Sequence, residues 1–383
     1  MSVTDPLTAA RGLRLLIESE AELVEQNATM TPAVVDALVG TGLFRLLVPR
    51  EFDGFEASPS TIIDVCKELS YADGAVGWAF AQNTTVMAYA AYLEPENAVR
   101  LARARAGAGM FAPLGVAHEQ DGGYRISGRY PFGSGSGHAE YMGGSAMVMR
   151  AGEPAPFENG LPQIRGFIIP ADRVIMKGNW DVMGLRGTGS FDFEVPEQHV
   201  DAGWTFSLFE TRPITGGALY GLGPITVGTI SSVAWALGVA HRALDEISEI
   251  ARNGRARLGS LPLREQPIFQ RDLGLHTTAV QAARKLAVDA YESAVTAVAE
   301  GTSPMALAQR MRETKAAASF VPRVAKAAVD FAYEASGSHG MRNPSRLQRC
   351  FRDIHVGATH QVFDERNYGE LVKSSLGLEP APF

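Results

Sequence analysis

Residues 122–141 read GGYRISGRYPFGSGSGHAEY, and this stretch decides the architecture. Aromatic and β-branched residues alternate behind the turn Asp121-Gly122-Gly123, which predicts a strand, and GSGSG at 133–137 predicts a glycine-rich loop. Similar short runs follow at 139–150, 163–170 and 189–200, with Gly178-Asn179 as a further turn. Together they predict a β domain from about 111 to 206, of sandwich or barrel type. Working outward, the periodicity on both sides is helical. Thr31 and Pro32 open one helix as N-cap and first-turn proline, Pro59 to Ala72 forms another, and Trp78 to Tyr92 is apolar nearly all round, as in a buried helix. Beyond the β region, 225–253, 265–300, 305–336 and 347–356 are rich in Ala, Leu and Val and suit a four-helix bundle. The expected fold is α+β, with an N-terminal helical domain (1–110), a central β domain (111–210) and a C-terminal bundle (211–383).

The composition excludes several function classes. A chain of 383 residues with 46% apolar and 20% charged residues has the balance of a globular enzyme. A net charge of -7, with basic residues scattered except around 342–352, argues against nucleic acid or an anionic membrane as partner. Two cysteines, Cys66 and Cys350, leave no disulfide framework and no cysteine-based zinc site, and no metal is expected. No apolar run is read as long enough to span a bilayer. MSVTDPLTAARG lacks the charged and apolar blocks of a signal peptide, so a cytoplasmic location is expected.

Five stretches carry a family likeness. LVPREFDGFEASPSTIIDVCKELSYADGAVGW (47–78), GGYRISGRYPFGSGSGHAEY (122–141), MGLRGTGSFDFEVPEQHV (183–200), ALGVAHRALDEISEIARNGRARLG (236–259) and ASGSHGM (335–341) with RCFRD (349–353) resemble, in order and spacing, the acyl-CoA dehydrogenase superfamily. FGSGSGHAEY (132–141) and RDIHVGATH (352–360) are most similar to its flavin-dependent, two-component monooxygenase branch. The resemblance implies reduced FMN or FAD supplied by a separate flavin reductase, lying between the β domain and the bundle of a homotetramer. It implies a C4a-hydroperoxide formed with O2 that hydroxylates a small aromatic substrate. Oxygenation at nitrogen or sulfur, acyl-thioester dehydrogenation and an idle flavin-binding protein are the alternatives. No G-x-G-x-x-G fingerprint opens a βαβ unit, so no nicotinamide site is expected in the chain itself.

A dehydrogenase of this kind needs a carboxylate to remove a carbon-bound proton. In the common dehydrogenases a glutamate stands nine residues after the arginine of the RD pair, a position held here by Gln361, and Thr211 to His241 contains no Asp or Glu. The resemblance instead places His360 at the flavin's N5/C4a edge as hydrogen-bond donor or proton relay; a loop histidine capping a helix is the plainer alternative. It places the Ser134 hydroxyl at flavin N5, Gly135 and Ser190 at the ring's edge, and Phe132 stacked on the ring, although glycine-serine turns and strand aromatics are commonly structural. Arg255 and Gln266 match a pair that reaches flavin phosphate and adenine across a subunit boundary, whereas Arg257 is as readily a solvated side chain. Gly337 and Gly340 match a turn against the partner's flavin, with His339 departing from the usual smaller residue. Trp78, Gln82, Asn83 and His138 are expected to line the substrate pocket, Thr84 and Thr85 beside them. This helix lacks the histidine that relatives carry, which leaves the substrate-orienting base unassigned. His355, Arg352 and Asp353 are expected to do structural work.

Overall fold

In the computed structural model, residues 5–156, 162–256 and 259–380 are described; Arg257 and the first four residues lie outside these ranges. The N-terminal helices α1 (Pro6–Gln26), α2 (Pro32–Gly40) and α3 (Pro59–Ala72) each begin on a proline, whose fixed φ suits the first turn. Each is capped by a side-chain oxygen on a backbone N–H: Asp5 on Thr8, Thr31 on Val34 and Ser58 on Thr61. Asp73 caps α4 (Gly74–Ala88) by accepting from the N–H groups of Ala75 and Val76, both at 3.0 Å. Every residue of α4 except Gln82 is buried, as its all-round apolar pattern requires. A short α5 (Pro95–Ala102) leads into the sheet.

The central region is one sheet of eight strands: β1 (Gly107–Gln120), β2 (Gly123–Gly133), β3 (Tyr141–Arg150), β4 (Glu153–Pro154), β5 (Ile164–Pro170), β6 (Ile175–Met176), β7 (Phe191–Asp201) and β8 (Thr205–Ser207). Their order is β6-β7-β2-β1-β3-β5-β8, with β4 on β3. Among the described residues only β1 and β3 pair in parallel; every other pairing there is antiparallel. β6 and β8 end the path unpaired with each other, so the expected sandwich or barrel is realised as an open mixed sheet. Its own core centres on Tyr130, which stacks on Phe193 at 5.0 Å and meets Phe167 edge-on at 6.0 Å. That ring lies across the neighbouring strands because Gly115 and Gly144 stand beneath it; a Cβ at either position would press into the phenol.

The bundle comprises α6 (Gly223–Arg252), α7 (Pro267–Ala299), α8 (Pro304–Ser336) and α9 (Arg346–Gly357), followed by α10 (Arg366–Val372). Contrary to the sequence reading, α6 with its preceding turn, Ala218–Arg252, is long and apolar enough to cross a bilayer by length and composition. The apolar window is 89% buried here, because α6 packs against α3, α4, α8 and α9 at once and needs an apolar surface on nearly every side. Small residues permit these approaches: Gly238 faces the Lys67 carbonyl, and Gly357 leaves room for the fully buried Trp235 ring. A Gly357→Ala substitution puts a methyl into that indole. Equilibrium denaturation is therefore expected to show a loss of about 1–3 kcal/mol; an unchanged midpoint would mean that α9 shifts freely on α6.

Candidate active site

Trp78 on α4 organises the site. Its indole N–H donates to Ser134 Oγ at 3.1 Å, and its ring meets Trp235 at 4.8 Å and His360 at 5.5 Å, both edge-on. The two residues singled out as catalytic in the sequence thus flank one indole, although 226 positions separate them. Ser134, Thr188 and Ser190 are all buried and form a chain of hydroxyls. Ser134 Oγ lies 2.8 Å from Ser190 Oγ, which lies 2.6 Å from Thr188 Oγ1, and Thr188 donates to the Leu185 carbonyl at 2.8 Å. Backbone contacts zip the two loops together: Gly135 N–H donates to the Thr188 carbonyl at 2.8 Å and Ser136 Oγ to the Gly189 carbonyl at 3.0 Å. Gly135 has φ of 76° and lies directly against the Asn83 amide, a position no larger residue fits.

His360 follows α9 and caps the next turn, its Nδ1 accepting from Val362 N–H at 3.4 Å. That contact places the ring proton on Nε2 in the neutral form. Burial pushes the imidazole down to about 4, so it is uncharged at neutral pH and donates rather than exchanges a proton. The plainer capping role and the site position are therefore both occupied by the same side chain, through different nitrogens. Among the described residues, none of the hydrogen bonds or ring contacts of Ser134, Trp78 and His360 involves a carboxylate. Gln361 is exposed.

Phe132 has φ of 62°, is 55% exposed and meets Trp180 edge-on at 6.2 Å, so a flat apolar face stands free beside the glycine-rich loop. A bare loop, an exposed aromatic face and a buried hydroxyl fit a planar heterocycle such as flavin. The polar residues of α4 are placed differently from the sequence expectation. Asn83 is wholly buried; its Nδ2 donates to the Gly107 carbonyl at 2.8 Å and its Oδ1 meets His138 Nε2 at 2.9 Å. The two residues expected to line a pocket hold each other, with His138 stacked on Phe44 at 5.9 Å. Burial, with Arg105 nearby, pushes His138 down to about 4. Thr84 and Thr85 return to carbonyls of their own helix, and Gln82 donates to Ser232 at 3.2 Å. A short polar residue in a buried helix satisfies itself locally unless a partner faces it.

Arg255, Gln266 and Gly337 form a separate group at the far end of α6. Gly337 lies against the Arg255 guanidinium, Leu263 N–H donates to the Arg255 carbonyl at 2.8 Å, and Gln266 Nε2 donates to the Leu261 carbonyl at 2.8 Å. Gly340 lies against Ser336 and Tyr333. From Trp235 to Arg252 the helix rises by about 26 Å, which exceeds the span of a flavin ring with its ribityl phosphate.

The RGTGS segment at 186–190, expected from the sequence at the site's edge, contains Thr188, and Asp353 does the structural work expected of it. Asp353 Oδ1 accepts from Leu185 N–H at 2.5 Å, holding a residue with φ of 56° at the start of the hydroxyl chain. Oδ2 is buried without a hydrogen-bond partner among the described residues. Arg352 does not pair with Asp353 but with Glu25 at 2.7 Å, and its Nη1 donates to the Met183 carbonyl at 2.8 Å. His355 pairs with Asp330 at 2.7 Å.

Burial, reinforced by the Asp73 carboxylate, lifts Asp353 to about 7 from an ordinary 3.8. Because the folded value is the higher one, this group's contribution is full below pH 3.8 and disappears as pH rises through about 7. Asp353→Asn keeps the acceptor for Leu185 without that dependence. Its melting temperature relative to the parent is expected to rise between pH 5 and pH 8. Parallel curves would show Asp353 to be ionised throughout.

Residues 9–97 match the acyl-CoA dehydrogenase N-terminal domain and residues 230–365 the acyl-CoA dehydrogenase C-terminal domain. The chain is 29% identical over 353 residues to an indole-3-acetate monooxygenase of Pseudomonas putida, covering 91% of this chain and 88% of the relative. It is 26% identical to a flavin-dependent monooxygenase oxygenase subunit of Rhodococcus jostii, covering 94% and 96%. A crystal structure of a 3-HSA hydroxylase from Rhodococcus superposes with a TM-score of 0.89 at 22% identity over 98% of both chains. With helices, sheet and bundle in this order and both terminal domains matched, the chain belongs to the acyl-CoA dehydrogenase superfamily, in its flavin-dependent monooxygenase branch.

Proposed function

We propose that the Ser134–Trp78–His360 cluster is where this flavin-dependent monooxygenase delivers one oxygen atom of O2 to a small, electron-rich aromatic substrate. The observation that carries this reading is the uncharged pair of polar groups flanking Trp78, one hydroxyl and one neutral imidazole, with no carboxylate in contact. When bound, reduced flavin supplies two electrons to O2, so that one oxygen enters the substrate and the other leaves as water. Ser134 Oγ would engage N5 of the ring, Gly135 and Ser190 would border it, and Phe132 would cover its face. His360 Nε2–H would be free to donate toward a bound oxygen. The buried indoles of Trp78 and Trp235 exclude water, which strengthens such hydrogen bonds. The substrate lies against these apolar rings; the indole-3-acetate relative supports an aromatic compound of that size.

The reduced cofactor, FMN or FAD, comes from a separate flavin reductase, a reading supported by relatives that are oxygenase subunits. Arg255, Gln266, Gly337 and Gly340 serve the flavin of a second copy, a reading supported by the place of Arg255 just beyond the C-terminal end of α6, with Gly337 against its guanidinium. The homotetramer of the sequence reading meets this requirement, and the location is taken to be cytoplasmic.

Mixing the anaerobic complex with reduced flavin against O2 in a stopped-flow instrument tests the proposal. A transient absorbing species should precede oxidised flavin, and product should form with an electron-rich aromatic. Reduction of bound flavin by an acyl-CoA without oxygen would instead establish a dehydrogenase. His360→Ala is expected to keep flavin binding but release most reducing equivalents as H2O2, read from the peroxide-to-product ratio. Full coupling in that variant would remove His360 from the mechanism.

A further inference from the structure

The hydroxyl chain behind Ser134 has a fixed direction. Thr188 Oγ1 lies 2.8 Å from the Leu185 carbonyl oxygen, a distance that is attractive only with the Thr188 hydrogen between them. The Leu185 oxygen has no hydrogen to give. Thr188 must therefore accept from Ser190 across their 2.6 Å contact, and Ser190 must accept from Ser134 across theirs of 2.8 Å. Three short contacts hold three hydroxyl hydrogens, and this is the only assignment that leaves each contact with one. The hydrogen of Ser134 thus points inward. One lone pair of its oxygen receives the Trp78 N–H at 3.1 Å. What remains is a single lone pair.

We infer that Ser134 is locked as a hydrogen-bond acceptor by Thr188 and Ser190, and that this polarity makes the site select reduced over oxidised flavin. The inference rests on the reading that Ser134 meets flavin N5. Reduced flavin carries a hydrogen on N5, which the free lone pair accepts. Oxidised flavin presents a lone pair at N5, which faces another lone pair and gains nothing. Rotation of Ser134 to donate outward would leave the 2.8 Å contact with Ser190 without a hydrogen, and the same loss would run along the chain to Leu185. All three hydroxyls are buried, so no solvent can compensate. Thr188 is a positioning residue that acts through Ser190 and Ser134, and a reductase-supplied cofactor gives this preference a use: the spent, oxidised form is released and the fresh, reduced form is held.

Affinities of FMN and FAD, each oxidised and each reduced with dithionite under anaerobic conditions, test this by calorimetry on the parent and its variants. The parent should bind the reduced form more tightly. Thr188→Val removes both the donor to Leu185 and the acceptor for Ser190, which frees Ser190 to donate to Ser134 and Ser134 to donate outward. Its reduced-to-oxidised affinity ratio should fall by about tenfold, equivalent to a drop of about 30 mV in the potential of the bound flavin. Thr188→Ser restores the hydroxyl and should restore the ratio. Ser190→Ala, which interrupts the chain one step nearer, should shift the ratio as Thr188→Val does and serves if the valine variant does not fold. A purely structural defect weakens both forms alike and leaves the ratio in place. An unshifted ratio in Thr188→Val and Ser190→Ala, alongside weaker reduced-flavin binding in Ser134→Ala, would overturn the polarity while retaining the flavin at Ser134. Unaltered binding of both forms in Ser134→Ala would instead refute the cofactor placement itself.

Discussion

One buried hydrogen bond sets the geometry on which the site depends: Leu185 N–H to Asp353 Oδ1 at 2.5 Å. Leu185 adopts a left-handed conformation with φ of 56°, which a branched residue holds only when its surroundings impose it. Asp353 stands on α9, itself tied to the N-terminal helices by Arg349 and Arg352 on Glu25 and by Arg349 on Asp73. The first helix, the α3–α4 junction, the loop after β6 and the fourth bundle helix therefore meet around one carboxylate cluster. From Leu185 the consequence runs outward. Its carbonyl orients Thr188, Thr188 orients Ser190, and Ser190 orients Ser134.

The same junction explains why the interior tolerates so many charges. Glu25 receives Arg349 at 3.0 Å and Arg352 at 2.7 Å, so each guanidinium that α9 buries has a carboxylate from another element. Pairs of this kind add little net stability over an apolar packing, but removing one partner leaves an uncompensated charge. Their effect here is to fix register. An α9 displaced by one residue would point Asp353 and Arg352 away from Leu185 and Glu25 together, and His360 would leave Trp78.

Local signals carried the fold. N-caps and first-turn prolines gave the helix starts, and alternation with glycine turns gave the strands, because both depend on residues within a few positions of each other. Ser134 and His360 were legible for another reason: the loop and the segment after the RD pair have recognisable patterns. The partners of those residues were not legible. Leu185 and Asp353 are 168 positions apart, and Asn83 and His138 are 55 apart. Nothing in Asn83 itself says whether it faces a cavity or the imidazole of a loop. The apolar length of α6 misled in the opposite direction, since a helix enclosed by four others and a helix enclosed by lipid satisfy the same composition.

The site's electrostatics follow from what is missing as much as from what is present. Acyl-thioester oxidation needs an anion that takes a proton from carbon, and an anion must be solvated or paired to exist near neutral pH. The surroundings of Trp78 provide neither: the rings of Trp78 and Trp235 are buried, and the same burial drives His360 to about 4. A histidine with so low a pKa is a poor base but a competent donor. Opposite it stands a hydroxyl whose hydrogen is committed inward. One donor and one acceptor, both neutral, stand on either side of Trp78. They offer nothing to a substrate that must lose a proton.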